Sequence, residues 1–233
     1  MYEAVAIESS PSSDTVVTIA ETAERYGFDG VVVRDLHRDS SILAEAADAV
    51  SIDVVDAATV TASDPHHASG AVGSRRSEAT ILLVDGTIAA MNRFAVETES
   101  VDVLANPFGG SGDVNHVIAK AAVENGVRIE YDLGAVLRKS GGERVRAIQS
   151  LRKLHEILAY YDAPYVVSAS PGDEFQLRAP RELVAVGDQL GVPGEWIEDG
   201  LAEWRRLAAR NRSIRSDRFI EPGVERGRYE ADN

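Results

Sequence analysis

The sequence predicts an α/β fold, a TIM-barrel-like (β/α) barrel of about seven to eight parallel strands. Helical stretches alternate with short β-branched runs along most of the chain, a pattern typical of parallel strands joined by crossover helices. The length of 233 residues is close to the ~250 residues of a typical TIM-type barrel. An open, doubly wound sheet is the alternative. In either fold, the loops that follow the strands would carry the function.

The N-terminal half of the chain begins with a predicted strand at 4–8, AVAIE. Residues 15–26 have helical periodicity and end at Gly27, a residue favoured at helix C-termini. The run GVVVR at 30–34 is typical of a short buried strand. The elements expected next are a helix at 40–49, a strand within 52–60, a strand at 81–84 and a helix at 87–96.

The C-terminal half continues the alternation. Asp113 can cap a helix that runs to about Asn125 and is stopped by Gly126. Ser140 and Glu143 have the spacing of a capping box, which would open a long helix. The remaining expected elements are strands at 101–106, 127–133 and 165–169, the long helix ending near Tyr161, and helices near 179–190 and 195–210.

Two segments do not fit the alternation. Residues 62–78 are rich in Gly, Ser and Ala and are expected to form a long polar loop, mobile or functional. The segment 213–233 is polar and is expected to be a partly disordered tail. The barrel is therefore expected to occupy 1–212 as a single domain.

The composition excludes several classes of protein. Cysteine is absent, so the chain has no disulfide framework and no thiolate nucleophile or metal ligand. No apolar run approaches the roughly 20 residues of a membrane span, and the first residues lack the pattern of a signal peptide. We expect a cytoplasmic protein without a membrane partner.

The net charge is strongly negative, −14, with a sequence pI of about 4.8. Only three basic residues are lysines, Lys120, Lys139 and Lys153, and the other 21 are arginines. Acidic side chains favour solubility more than lysines do, and at ~1 M salt the Debye length falls to about 3 Å. The composition indicates a protein adapted to a salty cytoplasm. At low salt we expect mutual repulsion of its carboxylates to destabilise it.

The positive charge is concentrated in two segments. Residues 138–156 have a net charge of +4 and residues 205–218 a net charge of +5. Arginine presents a planar fork that suits phosphate and also stacks on bases. These segments favour a polyanionic partner, although pairing with local Asp and Glu would also explain single arginines. The candidate residues in and near the first segment are Arg138, Lys139, Arg152 and Lys153.

The chemistry of a metal-dependent enzyme is not evident. Such a site needs several histidines and carboxylates around the metal. The first strand offers Glu8 where an H-x-H pair would be needed, and the adjacent His66 and His67 would point in opposite directions on an extended loop. The other histidines, His37, His116 and His155, are scattered. No metal site and no catalytic residue are predicted.

Two further features have a chemical and a structural interpretation. Glu130 and Asp132 share one face of a predicted strand and could act as acid and base in a metabolic barrel enzyme. The favoured interpretation is a structural group that forms salt bridges to a neighbouring strand. The run FGGSG at 108–112 resembles a phosphate-cradling turn, but glycines at this position also serve loop geometry.

Two runs of sequence resemble a known family. The run HVIAKAAVENGVRIEYDLGAVLR, beginning at His116, and residues 165–192 are similar to the thirty-kilodalton ribonuclease P subunit family, protein component 3. The first run contains the family's N-x-x-x-A-K pattern, here with Ala119 and Lys120. The second contains R-x-P-R-[DE]-L, here beginning at Arg178. The resemblance covers about 80–192.

The resemblance implies a non-catalytic subunit of ribonuclease P, whose RNA removes the 5′ leader of precursor tRNA. Its barrel would be related to the polymerase-and-histidinol-phosphatase superfamily, a metal-dependent phosphoesterase fold whose metal-binding histidines are missing here. Catalytic Mg²⁺ would be bound by the RNA. The partners would be ribonuclease P RNA, precursor tRNA indirectly, component 2 and other ribonuclease P proteins. The residues implied in RNA binding or assembly are Arg93, His116, Lys120, Arg178 and, by adjacency, Arg181.

Overall fold

The computed structural model describes residues 1–7, 12–35, 40–216, 219–221 and 224–225. The side chains of Ser40 and of the segments beyond 216 are outside this description. Glu8 and His37 are outside it as well, so the expectations for these two residues remain predictions. The strands within the described ranges are β1 (Tyr2–Val5), β2 (Gly30–Arg34), β3 (Asp53–Val60), β4 (Ile81–Asp85), β5 (Val103–Ala105), β6 (Arg128–Asp132), β7 (Tyr165–Ser168), β8 (Phe219–Glu221) and β9 (Val224–Glu225).

Helices follow most of the strands. None of those within the described ranges is both long and apolar enough to cross a membrane. Their bounds are α1 (Ser13–Tyr26), α2 (Ser40–Ala49), α3 (Pro65–Arg76), α4 (Ala89–Glu97), α5 (His116–Asn125), α6 (Gly134–Arg138), α7 (Gly141–Tyr161), α8 (Pro180–Leu190) and α9 (Gly194–Ile214).

The sheet follows the order of the chain. Strands β1 to β7 lie side by side in sequence order and every neighbouring pair is parallel, so that Val5 of β1 lies opposite Val33 of β2. The seven strands form a nearly closed barrel with flanking helices, a TIM-barrel-like fold. The predicted fold class is confirmed, and the open sheet is not adopted.

The seam of the barrel lies between β1 and β7, which share no strand ladder in the described residues. The side chain of Glu3 bridges the seam. Its Oε1 accepts hydrogen bonds from the backbone N–H of Ala4 at 3.1 Å and of Ala169 at 2.9 Å. The N–H of Ala6 also donates to the Pro171 carbonyl at 2.9 Å. A carboxylate and one backbone bond therefore replace the missing ladder.

Helix α9 completes the closure. Gly200 lies against β7, where a Cβ atom would meet the Val167 side chain, so that the helix can approach the strand closely. Trp204 is fully buried and donates its indole N–H to the Val167 carbonyl at 2.8 Å. Trp204 and Leu207 pack with inward-facing strand residues such as Val32, Val55, Ile81, Leu83 and Val103.

The second buried cluster lies between the barrel and the outer helices. It combines the outward-facing strand residues with the apolar faces of helices such as α1, α4, α5, α7 and α8. In α7 this face includes the buried Leu151, Leu154 and Leu158. Since the strands bury both faces, their sequences are continuous apolar runs rather than alternating ones.

Residues 62–78 contradict the predicted loop, because most of the segment is helix α3. Asp64 caps this helix by accepting from the His67 N–H at 3.1 Å, and Pro65 occupies its first turn. Ala68 and Val72 are buried against the barrel. The loop was predicted because the segment is rich in Gly and Ser. The helix forms because it is capped and because two small apolar side chains are buried.

Other local predictions were wrong in detail. Strand β1 begins at Tyr2 and ends at Val5, earlier than the predicted 4–8. Helix α5 is capped by Asn115, whose Oδ1 accepts from Val117 and Ile118, and not by Asp113. Ser140 is the N-cap of α7, but its side chain makes no capping hydrogen bond. The predicted C-terminal stop at Gly126 is confirmed, with the left-handed φ of 65°.

The predicted tail begins inside α9, which continues to Ile214. Beyond it, β8 and β9 pair as a short antiparallel hairpin. Most of the remaining tail is outside the described residues, and its expected disorder stays a prediction.

Candidate functional site

A buried ion pair occupies the interior of the barrel near the C-terminal ends of the strands. Arg34, the last residue of β2, donates both terminal guanidinium nitrogens to Glu130 of β6. Only 9% of the Arg34 side chain and 1% of the Glu130 side chain are exposed. Beneath the pair, the guanidinium carbon lies 5.6 Å from the centroid of the Trp204 ring. The pair joins strands on opposite sides of the barrel, not neighbouring strands as predicted.

Glu130 is fully engaged. Besides the bonds from Arg34, it accepts from the Ser168 hydroxyl at 2.6 Å and from the Asn106 N–H at 3.3 Å. Burial would raise the pKa of Glu130, but the Arg34 charge and these donors hold it below its ordinary value. A carboxylate whose pKa is lowered and whose oxygens both accept hydrogen bonds is poorly suited to act as a base.

Asp132 differs from Glu130, although both line the same side of the barrel mouth as predicted. Burial, followed by the nearby charge of Glu130, raises the pKa of Asp132 to about 6. Its Oδ1 accepts from the Gly134 N–H at 2.7 Å. Asp85 of β4 is also half-buried at this mouth, and burial raises its pKa.

Left-handed backbone conformations surround the mouth. Asp35 and Asn106 directly follow β2 and β5, and Ser170 is the second residue after β7; their φ angles are 57°, 46° and 45°. Such conformations cost free energy in residues other than glycine and often accompany functional sites. Here they occur where the chain leaves three of the barrel strands at the mouth.

The loop from Asn106 to Asp113 is held firmly. Asn92 of α4 donates through Nδ2 to the carbonyls of Pro107 at 2.7 Å and Asp113 at 2.9 Å. Lys153 of α7 reaches the Asp113 carboxylate at 2.6 Å. Both ends of the loop are therefore tied to flanking helices.

The FGGSG run within this loop uses its glycines largely for geometry. The N–H groups of Gly109, Ser111 and Gly112 already donate to backbone carbonyls of the loop and of Thr87. A Cβ atom on Gly110 would meet the Thr87 carbonyl oxygen at 2.6 Å. Most of the amides that an anion nest would need are consequently taken.

A group of cations without carboxylate partners lies on one side of the mouth, while others among the described residues, such as Arg210, lie elsewhere on the surface. The cations at the mouth lie where α6 joins α7 and where the loop after β7 joins α8. Within the described residues, none of their side chains forms a salt bridge, and three make no side-chain hydrogen bond either: Lys139, Arg146 and Arg181. The others donate only to backbone carbonyls: Arg138 to Ala169 and Ser170, Arg144 to Lys139, and Arg178 to Phe175 and Leu177.

The remaining candidate cations have local partners. Arg93 is exposed and bonds Glu97 one turn along α4 at 2.7 Å. Arg152 donates to the Leu190 and Gln189 carbonyls at the end of α8. Lys153 pairs with Asp113 as described. Because they already bond these partners, the three side chains are less available to a polyanionic partner than Lys139 or Arg181.

His116 and Lys120 are exposed on α5, beside α7. The Lys120 ammonium lies 5.7 Å from the ring of Tyr161, within the range of a cation–π contact. The adjacent Tyr160 is 80% exposed. This α5–α7 face combines basic and aromatic groups on the outside of the barrel. Because Tyr161 ends α7 shortly before β7 begins, the Lys120–Tyr161 contact lies toward the N-terminal ends of the strands and away from the mouth.

The prediction that His66 and His67 point in opposite directions on an extended loop was wrong, because both lie at the start of α3 with their ring centroids 5.6 Å apart. Among the described residues, the one group with metal-ligand spacing is Asp64, His66 and His67 at the exposed start of α3. There the His67 ring already bonds the capping Asp64 at 2.7 Å. His155 packs edge-on against Trp196, and burial lowers its pKa.

Sequence reasoning missed Arg34, Glu3 and Asn92. A signal for Arg34 was present, since a charged residue ends the apolar run GVVVR, and Glu3 likewise interrupts apolar neighbours. A charged residue inside a buried strand needs a partner. The identity of that partner depends on which strands face each other across the barrel.

Fold and site together define a class, a (β/α)-barrel protein with an internal ion pair and a cation-lined mouth. A family model described as RNase P subunit p30 matches residues 1–216. The chain belongs to this ribonuclease P subunit family.

Curated relatives agree over the full length. The chain is 52% identical to ribonuclease P protein component 3 of Halorubrum lacusprofundi and 47% identical to that of Halobacterium salinarum, with 100% of each chain covered. The fold is also that of a chain in a cryo-EM structure of archaeal ribonuclease P with mature tRNA. That match has a TM-score of 0.83 at 21% identity and covers 100% of both chains.

Proposed function

We propose that this chain acts in the cytoplasm as a non-catalytic subunit that binds and supports ribonuclease P RNA. The RNA would carry the catalytic Mg²⁺ and cleave precursor tRNA, which the protein would meet only indirectly. The chain would work with component 2 and the other ribonuclease P proteins. Family membership supports the assignment to ribonuclease P, and the relatives' structure with tRNA is consistent with these partners.

The single observation that carries the RNA-binding proposal is the set of unpaired cations beside the barrel mouth. In a chain with 38 acidic and 24 basic residues, a cation finds a local carboxylate easily. Arg76, Arg128 and Arg212 all do so, with Asp102, Glu203 and Asp53. Lys139, Arg146 and Arg181 have no such partner in the described structure, which leaves their charges available to phosphates.

Arginine suits this role in concentrated salt. Counterion release contributes little to binding when the surrounding salt is already concentrated. Bidentate hydrogen bonds and stacking depend less on salt than the attraction between point charges does. Arg146 and Arg181 would then contribute more to RNA affinity than an equal number of lysines.

Reconstitution at high salt tests the proposal. The protein and its candidate small partner are added to the cognate RNA, and precursor-tRNA cleavage is followed at limiting Mg²⁺. We expect cleavage to rise with the protein and to fall about tenfold in Arg181→Ala or Arg146→Ala, the loss typical of one charge-assisted hydrogen bond. Arg178→Ala should also reduce cleavage, and Arg93→Ala should reduce it less, because Arg93 already pairs with Glu97.

Arg210→Ala is the matched control. Arg210 is exposed near the C-terminal end of α9, beside Asn211 and Arg212, which bond residues at the N-terminal ends of β3 and β4. It therefore lies away from the mouth, although it belongs to the second basic segment, 205–218. Since the proposal assigns RNA binding to the mouth, loss of Arg210 should leave cleavage unchanged. An equal effect of Arg210→Ala and Arg181→Ala would indicate that only total charge matters.

The alternatives remain a metal-dependent phosphoesterase and a metabolic barrel enzyme. For the second, Asp132 is a better candidate base than Glu130, because its pKa is raised to about 6 and Arg34 neutralises Glu130 instead. Hydrolysis of a model phosphate ester by the protein alone, abolished in Asp132→Asn, would favour an enzyme over an RNA-binding subunit.

A further inference from the structure

A cavity of about 350 Å³ opens at the mouth between α7 and the loop that follows β5. Phe108 and Leu151 form opposite walls, Glu130 and Asp132 lie at the floor, and Lys139 and Arg146 are among the residues at the rim. The volume falls near the lower end of the ~300–1,000 Å³ usual for small-ligand sites. It is sufficient for one nucleotide.

The chemistry of the cavity changes from floor to rim. At the floor, Glu130 already accepts hydrogen bonds from Arg34 and Ser168. Asp132 is the floor carboxylate that can accept a further hydrogen bond. At the rim, Lys139 and Arg146 make no salt bridge within the part of the chain that is described. The lining between is mixed: Phe108, Ala147 and Leu151 are apolar, whereas Asn106, Glu143 and Ser150 are polar.

We propose that this cavity receives one unstacked nucleotide of the RNA partner, an inference that rests on the proposed function. The phosphate would lie on Lys139 and Arg146, and the base would lie between Phe108 and Leu151. A base amino group or a ribose hydroxyl would donate to Asp132. Sequence-specific RNA recognition commonly uses bases that are splayed out and stacked on aromatic rings.

The walls are preformed, which lowers the entropic cost of binding. Asn92 and Lys153 hold the two ends of the loop that carries Phe108. Leu151 is buried in the middle of α7. On the opposite side, Arg138 bonds the Ala169 carbonyl at 2.7 Å and so fixes the turn that precedes Lys139.

The test fills the cavity without removing a charge. Ala147 lines it from α7 and is half-buried, so Ala147→Trp places an indole where the base would lie. Affinity for the cognate RNA is measured at high salt with the full-length protein and its small partner. We expect a loss of roughly tenfold, the order typical of one stacked base.

Ala209→Trp, on an exposed position of α9, is the matched control and should bind RNA as the unmodified protein does. Asp132→Asn, which is nearly isosteric, is a second variant in case Ala147→Trp does not fold. It should change the preference among bases presented at the site. Thermal melting confirms folding of each variant.

The failure of this inference is distinguishable from failure of the proposed function. If Ala147→Trp and Asp132→Asn bind RNA normally while Lys139→Ala and Arg146→Ala weaken binding, the cations contact RNA and no nucleotide enters the cavity. If all four bind normally, the proposed RNA surface itself is wrong.

A titration with free nucleotides separates a nucleotide site from a phosphate site. The four nucleoside 5′-monophosphates and inorganic phosphate are titrated into the protein alone and followed by NMR. Shifts at Phe108 and Leu151 with a monophosphate, but not with phosphate, support the proposal. Equal responses to phosphate and to every monophosphate, confined to the rim, overturn it.

Discussion

At the scale of single residues, the buried negative charge of Glu130 is balanced by its neighbours inside the barrel. Arg34 neutralises Glu130, and Ser168 completes its hydrogen bonding. The Arg34 Nε remains without a partner among the described residues. Removing one member of a buried ion pair leaves an uncompensated charge, whereas removing both costs much less.

Arg34→Met is therefore expected to lower the free energy of unfolding by about 3–5 kcal/mol. The double substitution Arg34→Met with Glu130→Gln should recover a large part of that loss, because no buried charge is then unpaired. Urea unfolding followed by circular dichroism in concentrated KCl measures both. A double variant as unstable as Arg34→Met would show that the pair contributes through its shape and not through charge balance.

Glu3 gives the stability a pH dependence. Burial raises its pKa to about 8 from the ordinary value of 4.5, and one of its oxygens has no partner in the described structure. Between these values the folded protein retains a proton that the unfolded chain releases. The contribution of Glu3 therefore favours folding less and less as the pH rises from about 4.5 to about 8.

The variant Glu3→Gln should remove this dependence. Its Oε1 can still accept from Ala4 and Ala169, and it carries no charge to bury. We expect the variant to gain stability relative to the unmodified protein as the pH rises from 5 to 8. The measurement is the difference in urea midpoint at several pH values, and a constant difference across this range would refute the assigned role.

At the scale of elements, α9 covers the gap between β7 and β1 that an eighth strand would fill in a fully closed barrel. It lies across β7 and β1, and Trp204 fills the interior below the Arg34–Glu130 pair. Its last turn is fixed by Asn211, which bonds the Thr80 carbonyl, and by Arg212, which makes a bidentate pair with Asp53. The helix is part of the barrel and not an accessory to it.

Trp204→Ala should consequently lower the free energy of unfolding by about 3–5 kcal/mol, the range for deleting a large buried aromatic side chain. Trp204→Phe keeps much of the apolar volume, loses the bond to Val167 and should cost less. The two variants are compared by chemical unfolding, with Trp196 as the remaining fluorophore. Similar losses in both would point to the single hydrogen bond as the dominant contribution.

At the scale of the whole molecule, the negative charge of −14 acts against compactness when it is not screened. The curated relatives at about 50% identity come from halophilic archaea, in agreement with the composition. We expect the melting temperature to rise as KCl increases from about 0.1 M to the molar range, where the Debye length is only about 3 Å. A melting temperature independent of salt would count against this explanation.

The sequence predicted the repeated strand–helix units well, since continuous β-branched runs and helix stops such as Gly27 and Gly126 are local signals. It was less successful at helix starts, where Asn115 replaced Asp113 as the cap, and in residues 62–78, where a weakly apolar helix resembled a loop. Capping depends on side-chain geometry that spacing alone does not determine.

At the candidate site, too, local sequence patterns were predictable and side-chain partners were not. The sequence by itself determined the fold class, the family and the concentration of basic residues around 138–156, because each follows from local pattern or composition. Only the tertiary structure decided that Arg34 meets Glu130 and that Arg93 and Lys153 are paired. It also decided that Lys139, Arg146 and Arg181 have no carboxylate partner among the described residues. Partners of this kind are brought together by barrel closure, which joins residues far apart in the chain and leaves no trace in their spacing.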